Sequence, residues 1–260
     1  MRPSRTATGP RRSATQSSVR ASQAGGKRSH IAERRVQLFA TCLGDLFFPE
    51  VVADAESLLE QAGYEVDFPL EQVCCGQPAF NAGHRAAARR VARTFVRAFS
   101  RDRPVVCASG SCATMVAHYL PELLGCEPYE VWELSAFLAQ AESTLPARNA
   151  GCSLAYHDSC HMLRELGIAE EPRRLLERSG AQLVPLPRPD LCCGFGGTFS
   201  VRQPEISVAM ADEKLAGARD ADALVTADPG CLMHLRARAA RTGAPRVIHL
   251  ATALARGANP

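Results

Sequence analysis

The sequence predicts an α/β fold made of two pseudo-repeated βαβ-type units, each with a parallel sheet. Three observations lead there: a cysteine pattern that occurs twice, short apolar runs alternating with helical periods in both halves, and proline or glycine at the breaks between them. The pattern is anchored on Cys192-Cys193-Gly194, which echoes Cys74-Cys75-Gly76 118 positions earlier. Cys42 and Cys160 keep the offset of 118, and Cys112 and Cys231 lie 119 apart. The flanks agree, since Leu58-Leu59-Glu60-Gln61-Ala62-Gly63 recurs as Leu175-Leu176-Glu177-Arg178-Ser179-Gly180. The chain therefore reads as a duplication.

The first copy opens with the apolar run 36–40, a buried strand ending just before Cys42. Pro49 suits a helix first turn, Val51, Ala55, Leu58, Leu59 and Ala62 follow at helical spacing, and Gly63 suits the stop. Residues 64–68 alternate like a strand and lead to the first Cys-Cys-Gly. A loop (77–83), a basic amphipathic helix (84–100), a strand (104–108) and a helix beginning near Cys112 complete the copy. The second copy repeats the order: strand 152–156, Cys160, helix 171–179, strand 182–186, Cys-Cys-Gly, helix 204–219, strand 223–227, Cys231, a helix to about residue 241, and strand 246–249. These βαβ units are Rossmann-like, with the cysteines expected after the carboxyl ends of the strands, where open α/β sheets gather their ligand sites. The expected organisation is a basic, disordered tail over 1–33, a first repeat over 34–141, a linker over 142–151 and a second repeat over 152–256.

At 260 residues and 46% hydrophobic content the chain is long enough to bury a proper core. No run of about 18 apolar residues exists, which argues against a membrane-spanning helix. The N-terminus lacks the apolar stretch of a secretory signal, so a cytoplasmic protein is expected, and 11 cysteines there point to metal binding or redox chemistry rather than disulfides. The net charge of +3 hides an asymmetry: residues 1–30 carry seven Lys or Arg and no acid, leaving 23 basic against 27 acidic residues elsewhere. The tail reads as a solvated extension, with a nucleic-acid arm or a transit segment as alternatives, and no nucleic-acid partner is expected.

Four cysteines per copy match the number that holds a [2Fe-2S] or [4Fe-4S] cluster. The candidates are Cys42, Cys74, Cys75 and Cys112 in the first copy and Cys160, Cys192, Cys193 and Cys231 in the second. Thiolates are soft donors that also suit zinc, but zinc sites are usually built from C-x-x-C knuckles, and none occurs in this chain. Adjacent cysteines point their side chains apart, which serves a multi-iron cluster better than one tetrahedral ion. A zinc site, or purely structural or redox-active thiols, stay open as alternatives.

The two cysteine sets resemble the paired CCG domains of cysteine-rich iron–sulfur proteins. The strings from Cys74 to Asn81, Gly110-Ser111-Cys112, and from Cys192 to Ser200 resemble the lactate utilization protein A family, over about residues 36–256. The resemblance implies an iron–sulfur component of a cytoplasmic complex oxidising L-lactate to pyruvate, one cluster per repeat, working with two other lactate utilization proteins. As a non-flavin subunit of such an oxidoreductase complex, its own enzymatic status is undecided. More distant likenesses are the cysteine-rich component of heterodisulfide reductase and the glycolate oxidase iron–sulfur subunit, which leave glycolate or a disulfide as alternative substrates. The reductase relative uses a fifth cysteine per domain, at positions that are Ser109 and Asp228 here, so a five-thiolate cluster does not carry over.

Cys107, Cys126 and Cys152 lack counterparts among the candidate ligands and read as small buried hydrophobes. His157 and His161 flank Cys160; capping or surface roles are expected for them, with tuning of a cluster by hydrogen bonding, relay of a proton, or a ligand role as lesser alternatives. Gly194, Gly196 and Gly197 fit no dinucleotide or P-loop pattern, and read as letting backbone N–H groups approach cluster sulfurs. Arg164 and Arg202 are weak candidates for meeting a carboxylate.

Overall fold

The structure is a computed structural model and describes residues 34–258; the tail expected to be disordered, 1–33, lies outside the described residues. Two four-stranded, all-parallel sheets form, one per repeat. The first contains β1 (Arg35–Phe39), β2 (Glu65–Asp67), β3 (Val105–Cys107) and β4 (Val131–Glu133) in the order β2-β1-β3-β4. The second contains β5 (Ser153–His157), β6 (Gln182–Leu183), β7 (Ala223–Thr226) and β8 (Arg246–His249) in the matching order β6-β5-β7-β8. The central strands are continuous apolar runs because helices cover both faces: β3 and β7 are buried along their whole length.

The helices of the first repeat are α1 (Cys42–Phe47), α2 (Pro49–Gln61), α3 (Gln77–Asn81), α4 (Arg85–Ala98), α5 (Gly110–Thr114), α6 (Leu120–Leu124) and α7 (Leu134–Gln140). A π-helical turn, Met115–Tyr119, joins α5 to α6. Pro49 occupies the first turn of α2, where its missing N–H costs nothing, and Val51, Ala55, Leu58 and Leu59 face the core. In α4 the small residues Ala88 and Ala92 and the ring of Phe95 face inward and leave the arginines on the solvent side. The second repeat has a π-helical turn, Met162–Leu166, then α8 (Glu170–Arg178), α9 (Thr198–Arg202), α10 (Pro204–Gly217), α11 (Pro229–Thr242) and α12 (Leu250–Ala255).

The repeats interlock through helices at the rim of each sheet. α2 of the first packs on α12 of the second, and α7 of the first packs on α8 of the second. One core cluster accordingly draws residues from both sheets, including Leu38, Leu58, Phe137, Leu154, Leu175 and Leu254. Asp54 on α2, 4% exposed, accepts hydrogen bonds from Thr252 Oγ1 at 2.8 Å and Arg256 Nε at 2.6 Å. Asn149, between the sheets, donates to Ser179 Oγ at 2.7 Å and to the Ala253 carbonyl at 2.8 Å, and so ties α8 to α12.

Three local expectations differ from the structure. Segment 77–83 was expected as a loop, yet 77–81 is a turn of helix, because Gly76 takes a left-handed φ of 91° and Pro78 enters the first turn. The strand expected over 182–186 pairs only over Gln182–Leu183. β4 was not anticipated: three residues are too short for a period, although β8 in the second copy is its counterpart.

Glu133 ends β4 and caps α7, its Oε2 accepting from Ser135 N at 2.8 Å while Oε1 is buried without a partner. Burial pushes its carboxyl up to about 7. A carboxyl raised in this way is stabilising for the fold when protonated, and the contribution is lost as pH rises from the unfolded value of 4.5 towards 7. Glu133→Gln keeps an acceptor for the cap and removes the charge. Its stability relative to the parent is expected to rise by about 3 kcal/mol across that pH window, from a shift of roughly two to three units; thermal unfolding at pH 5, 6, 7 and 8 measures it, and parallel curves would refute it.

Candidate metal centre

The parallel order β2-β1-β3 brings together the loops that follow these strands, and with them cysteines far apart in sequence. Cys42 begins α1 after β1, Cys74 and Cys75 follow β2, and Cys112 lies in the first turn of α5 after β3. Thr41 Oγ1 accepts from Gly44 N at 3.2 Å and Ser109 Oγ accepts from Cys112 N at 3.3 Å, fixing both helix starts. Cys42 Sγ lies 3.5 Å from Cys74 Sγ, and Cys75 Sγ lies 3.3 Å from Cys112 Sγ. The adjacent cysteines thus reach different partners, Cys74 half-buried and Cys75 buried.

The second repeat places its cysteines alike. Cys193 Sγ lies 3.2 Å from Cys231 Sγ, and Cys160 and Cys192 are both half-buried. Gly194 matches Gly76 with a φ of 91°, and the turn presents backbone donors to sulfur. Gly194 N approaches Cys192 Sγ at 3.4 Å, Phe195 N approaches Cys193 Sγ at 3.5 Å, and Gly76 N approaches Cys74 Sγ at 3.4 Å. Of the glycines read as bringing N–H groups to sulfur, Gly194 makes such a contact, to a cysteine Sγ.

Thiol protons are shared unevenly within each set. The Cys74 thiol is pushed down by hydrogen bonds from Cys42 and Cys75, and Cys192 by those from Cys160 and Cys193. Cys42 and Cys160 rise as their donors, and burial adds to the rise. Cys112 is lowered, first by Cys107 and then by Cys75, whereas Cys231 is raised. Cys107 is core packing as expected, fully buried at the end of β3 in the same apolar cluster as Cys112.

Seven of the eight candidate cysteines, all but Cys74, line one cavity of about 200 Å³ between the repeats, together with Gln77, Ser111, His161 and the loop 195–198. The walls meet closely: Gly110 N approaches the Ala227 carbonyl at 3.4 Å, and a Cβ on Gly110 would fall 2.1 Å from Met162 Cγ. Gln77 Nε2 and His161 Nε2 lie 3.1 Å apart across the cleft, and Tyr119 OH donates to Glu165 Oε2 at 2.6 Å. Ser109 and Asp228 also join the repeats. Asp228 Oδ2 accepts from Ser111 N at 2.8 Å and Ser109 Oγ at 3.3 Å, while Oδ1 caps α11 through Gly230 N at 3.0 Å.

The histidine expectation divides. His161 is half-buried at the cavity, with Nδ1 3.5 Å from Cys160 Sγ. His157 was expected to cap or lie at the surface; instead it is fully buried at the end of β5, and neither ring nitrogen has a hydrogen-bond partner. Burial, then the charge of Lys214, hold its imidazole down to about 3, so it is neutral. A ligand atom of His157 and the sulfurs of Cys193 and Cys231 lie within 4.8 Å of one another. Arg164 and Arg202 do not line the cavity; Arg164 instead donates to the Asp190 carbonyl at 3.3 Å. Cys152 is buried as expected, and Cys126 only half-buried.

These clustered cysteines form a soft donor set of the kind that binds a metal or an iron–sulfur group. Donors around one tetrahedral ion with bonds of about 2.3 Å sit about 3.8 Å apart. Among the described residues no three cysteine sulfurs lie mutually within 4.8 Å, so each set is spread rather than closed on a point. Cys42, Cys74, Cys75 and Cys112 would hold one such group, and Cys160, Cys192, Cys193 and Cys231 the other.

Comparison with known proteins agrees with the duplication. The cysteine-rich domain family CCG matches residues 36–117 and again 154–236. Lactate utilization protein A of Geobacillus kaustophilus (strain HTA426) is 44% identical over 238 residues, spanning 85% of this chain and 98% of that protein. The protein of the same name from Halalkalibacterium halodurans is 43% identical over 85% of this chain and 96% of its own. Lactate utilization protein A 2 of Bacillus cereus (strain Q1) is 42% identical over 86% and 98%. Among solved structures, Picrophilus torridus aspartate racemase has a TM-score of 0.38 at 10% identity over 85% of this chain and 90% of its own, too distant to inform the chemistry. With the CCG model matched twice and relatives this similar along nearly their whole length, the chain belongs to the CCG cysteine-rich family and, within it, to the lactate utilization protein A family.

Proposed function

We propose that this chain takes part in lactate utilization as the iron–sulfur electron-transfer component of a cytoplasmic system oxidising L-lactate to pyruvate. The observation that carries the reading is the pair of cysteine sets, seven of whose eight members line one cavity, in a chain whose relatives are named for lactate utilization. Converting lactate to pyruvate removes two electrons and two protons. An iron–sulfur group supplies one-electron steps, and in this reading the electron pair is taken from the substrate on a partner, another lactate utilization protein, or at an atypical cluster, with this chain relaying electrons singly. The chain's own residues hold soft donors in a fixed spread, direct the N–H groups of Gly76, Gly194 and Phe195 at sulfur, and bury Cys75, Cys112, Cys193 and Cys231 away from water. Such N–H donors and burial are the levers by which a protein sets cluster potential.

Protein purified without oxygen is expected to be coloured, to contain iron and acid-labile sulfide, and to give EPR signals that change on reduction. A colourless, iron-free chain would overturn the reading. The grouping of His157, Cys193 and Cys231 favours one rival, a zinc-stabilised scaffold, because three donors at that spacing suit a single ion. Stoichiometric zinc in place of iron would select it.

A further inference from the structure

The repeats are alike in backbone but not in the side chain that ends their first strand. In register, Phe39 pairs with Cys107 in the first sheet and His157 with Thr226 in the second, so Phe39 and His157 occupy equivalent places. Phe39 is 1% exposed and stacks edge-on against Phe95 and Phe99, an ordinary core role. His157 is 0% exposed and makes no hydrogen bond with either nitrogen.

A neutral imidazole always carries one N–H and one lone pair, and leaving a buried polar group unmatched costs about 1–3 kcal/mol. His249, equally buried at the end of β8, matches one of its two nitrogens: Nδ1 accepts from Ala251 N at 3.1 Å and caps α12, and only Nε2 is left without a partner. His157 has no such task, and what lies within reach of its ring is the sulfur pair of Cys193 and Cys231.

Resting on the reading that the second repeat binds an iron–sulfur group, we infer that His157 is a nitrogen ligand of that group beside Cys193 and Cys231, making the two centres chemically unequal. The first repeat offers sulfur alone, with the buried thiol of Cys107 beside Cys112 and the Phe39 ring in the histidine's place. A neutral imidazole adds no negative charge to its iron, whereas every thiolate adds one. The second centre therefore holds the higher potential and receives electrons from the first.

Pulsed EPR of the anaerobically purified full chain, grown with and without ¹⁵N-histidine, tests this. A nitrogen coupling that changes with the label is expected in the parent, lost in His157→Phe and His157→Gln and retained in His161→Gln. The midpoint potential of one centre is expected to fall in His157→Phe while the other holds. The labelled parent decides the matter even if a variant misfolds. Iron present without histidine nitrogen coupling, or a coupling that disappears with His161 instead, would overturn this inference alone. Absence of iron would overturn it together with the proposed function.

Discussion

Cys193→Ser is expected to lower the iron and sulfide content by about half, emptying the second repeat, and Cys75→Ser to do the same to the first. Both thiols are buried, 2% and 1% exposed, and each sits within 3.3 Å of its repeat's last cysteine, Cys231 or Cys112. Serine offers a hard, protonated hydroxyl where a soft thiolate is required, so the loss should be near complete for the affected repeat. Iron analysis and EPR of the two variants distinguish the outcomes: complementary surviving signals mean one group per repeat. Because cysteines of both sets line the same cavity, a single shared group has a clear signature, the loss of all iron from either variant.

Gly194→Ala is expected to destabilise the chain by about 3–5 kcal/mol, against about 1–2 kcal/mol for Gly76→Ala. The two glycines share a φ of 91°, where a Cβ is strained by the backbone itself. Their surroundings differ. A Cβ at Gly194 would lie 2.4 Å from the Ser207 carbonyl oxygen, a main-chain atom of α10 that cannot rotate away. At Gly76 the nearest atom, the Ala88 carbonyl oxygen, is 3.5 Å distant. Relief at Gly194 requires moving α10, which breaks the 2.7 Å bond from Ser207 Oγ to the Gly194 carbonyl and shifts the turn that aims N–H groups at Cys192 and Cys193. Chemical unfolding gives the two costs, and equal values would refute the close-packing argument.

The duplication was legible because cysteine spacing and helical period are local properties that survive without knowledge of packing. The offsets of 118 and 119 already paired Cys42 with Cys160 and Cys112 with Cys231. Strands β1, β3, β5, β7 and β8 and helices α2, α4, α8, α10 and α11 follow from apolar runs, a proline in the first turn of α2, α10 and α11, or a glycine at the end. β4 escaped because Val131-Trp132-Glu133 is too short for a period, and only pairing with β3 makes it a strand. His157 was misread for a related reason. Its polarity and its place beside a cysteine suggested a cap or an exposed site, while its burial depends on helices supplied from elsewhere in the chain.

By itself the sequence determined the repeat, the parallel α/β architecture, the eight candidate ligands and the family, since each depends on residue identity and spacing along the chain. Tertiary structure alone decided that cysteines of both sets face one cavity, that Ser109 and Asp228 fasten the repeats to each other, and that His157 stands beside Cys193 and Cys231. The physical reason is reach: hydrogen bonds and metal ligands act over a few ångströms, and which side chains come that close is settled by how α2, α7, α8 and α12 lock the two sheets together.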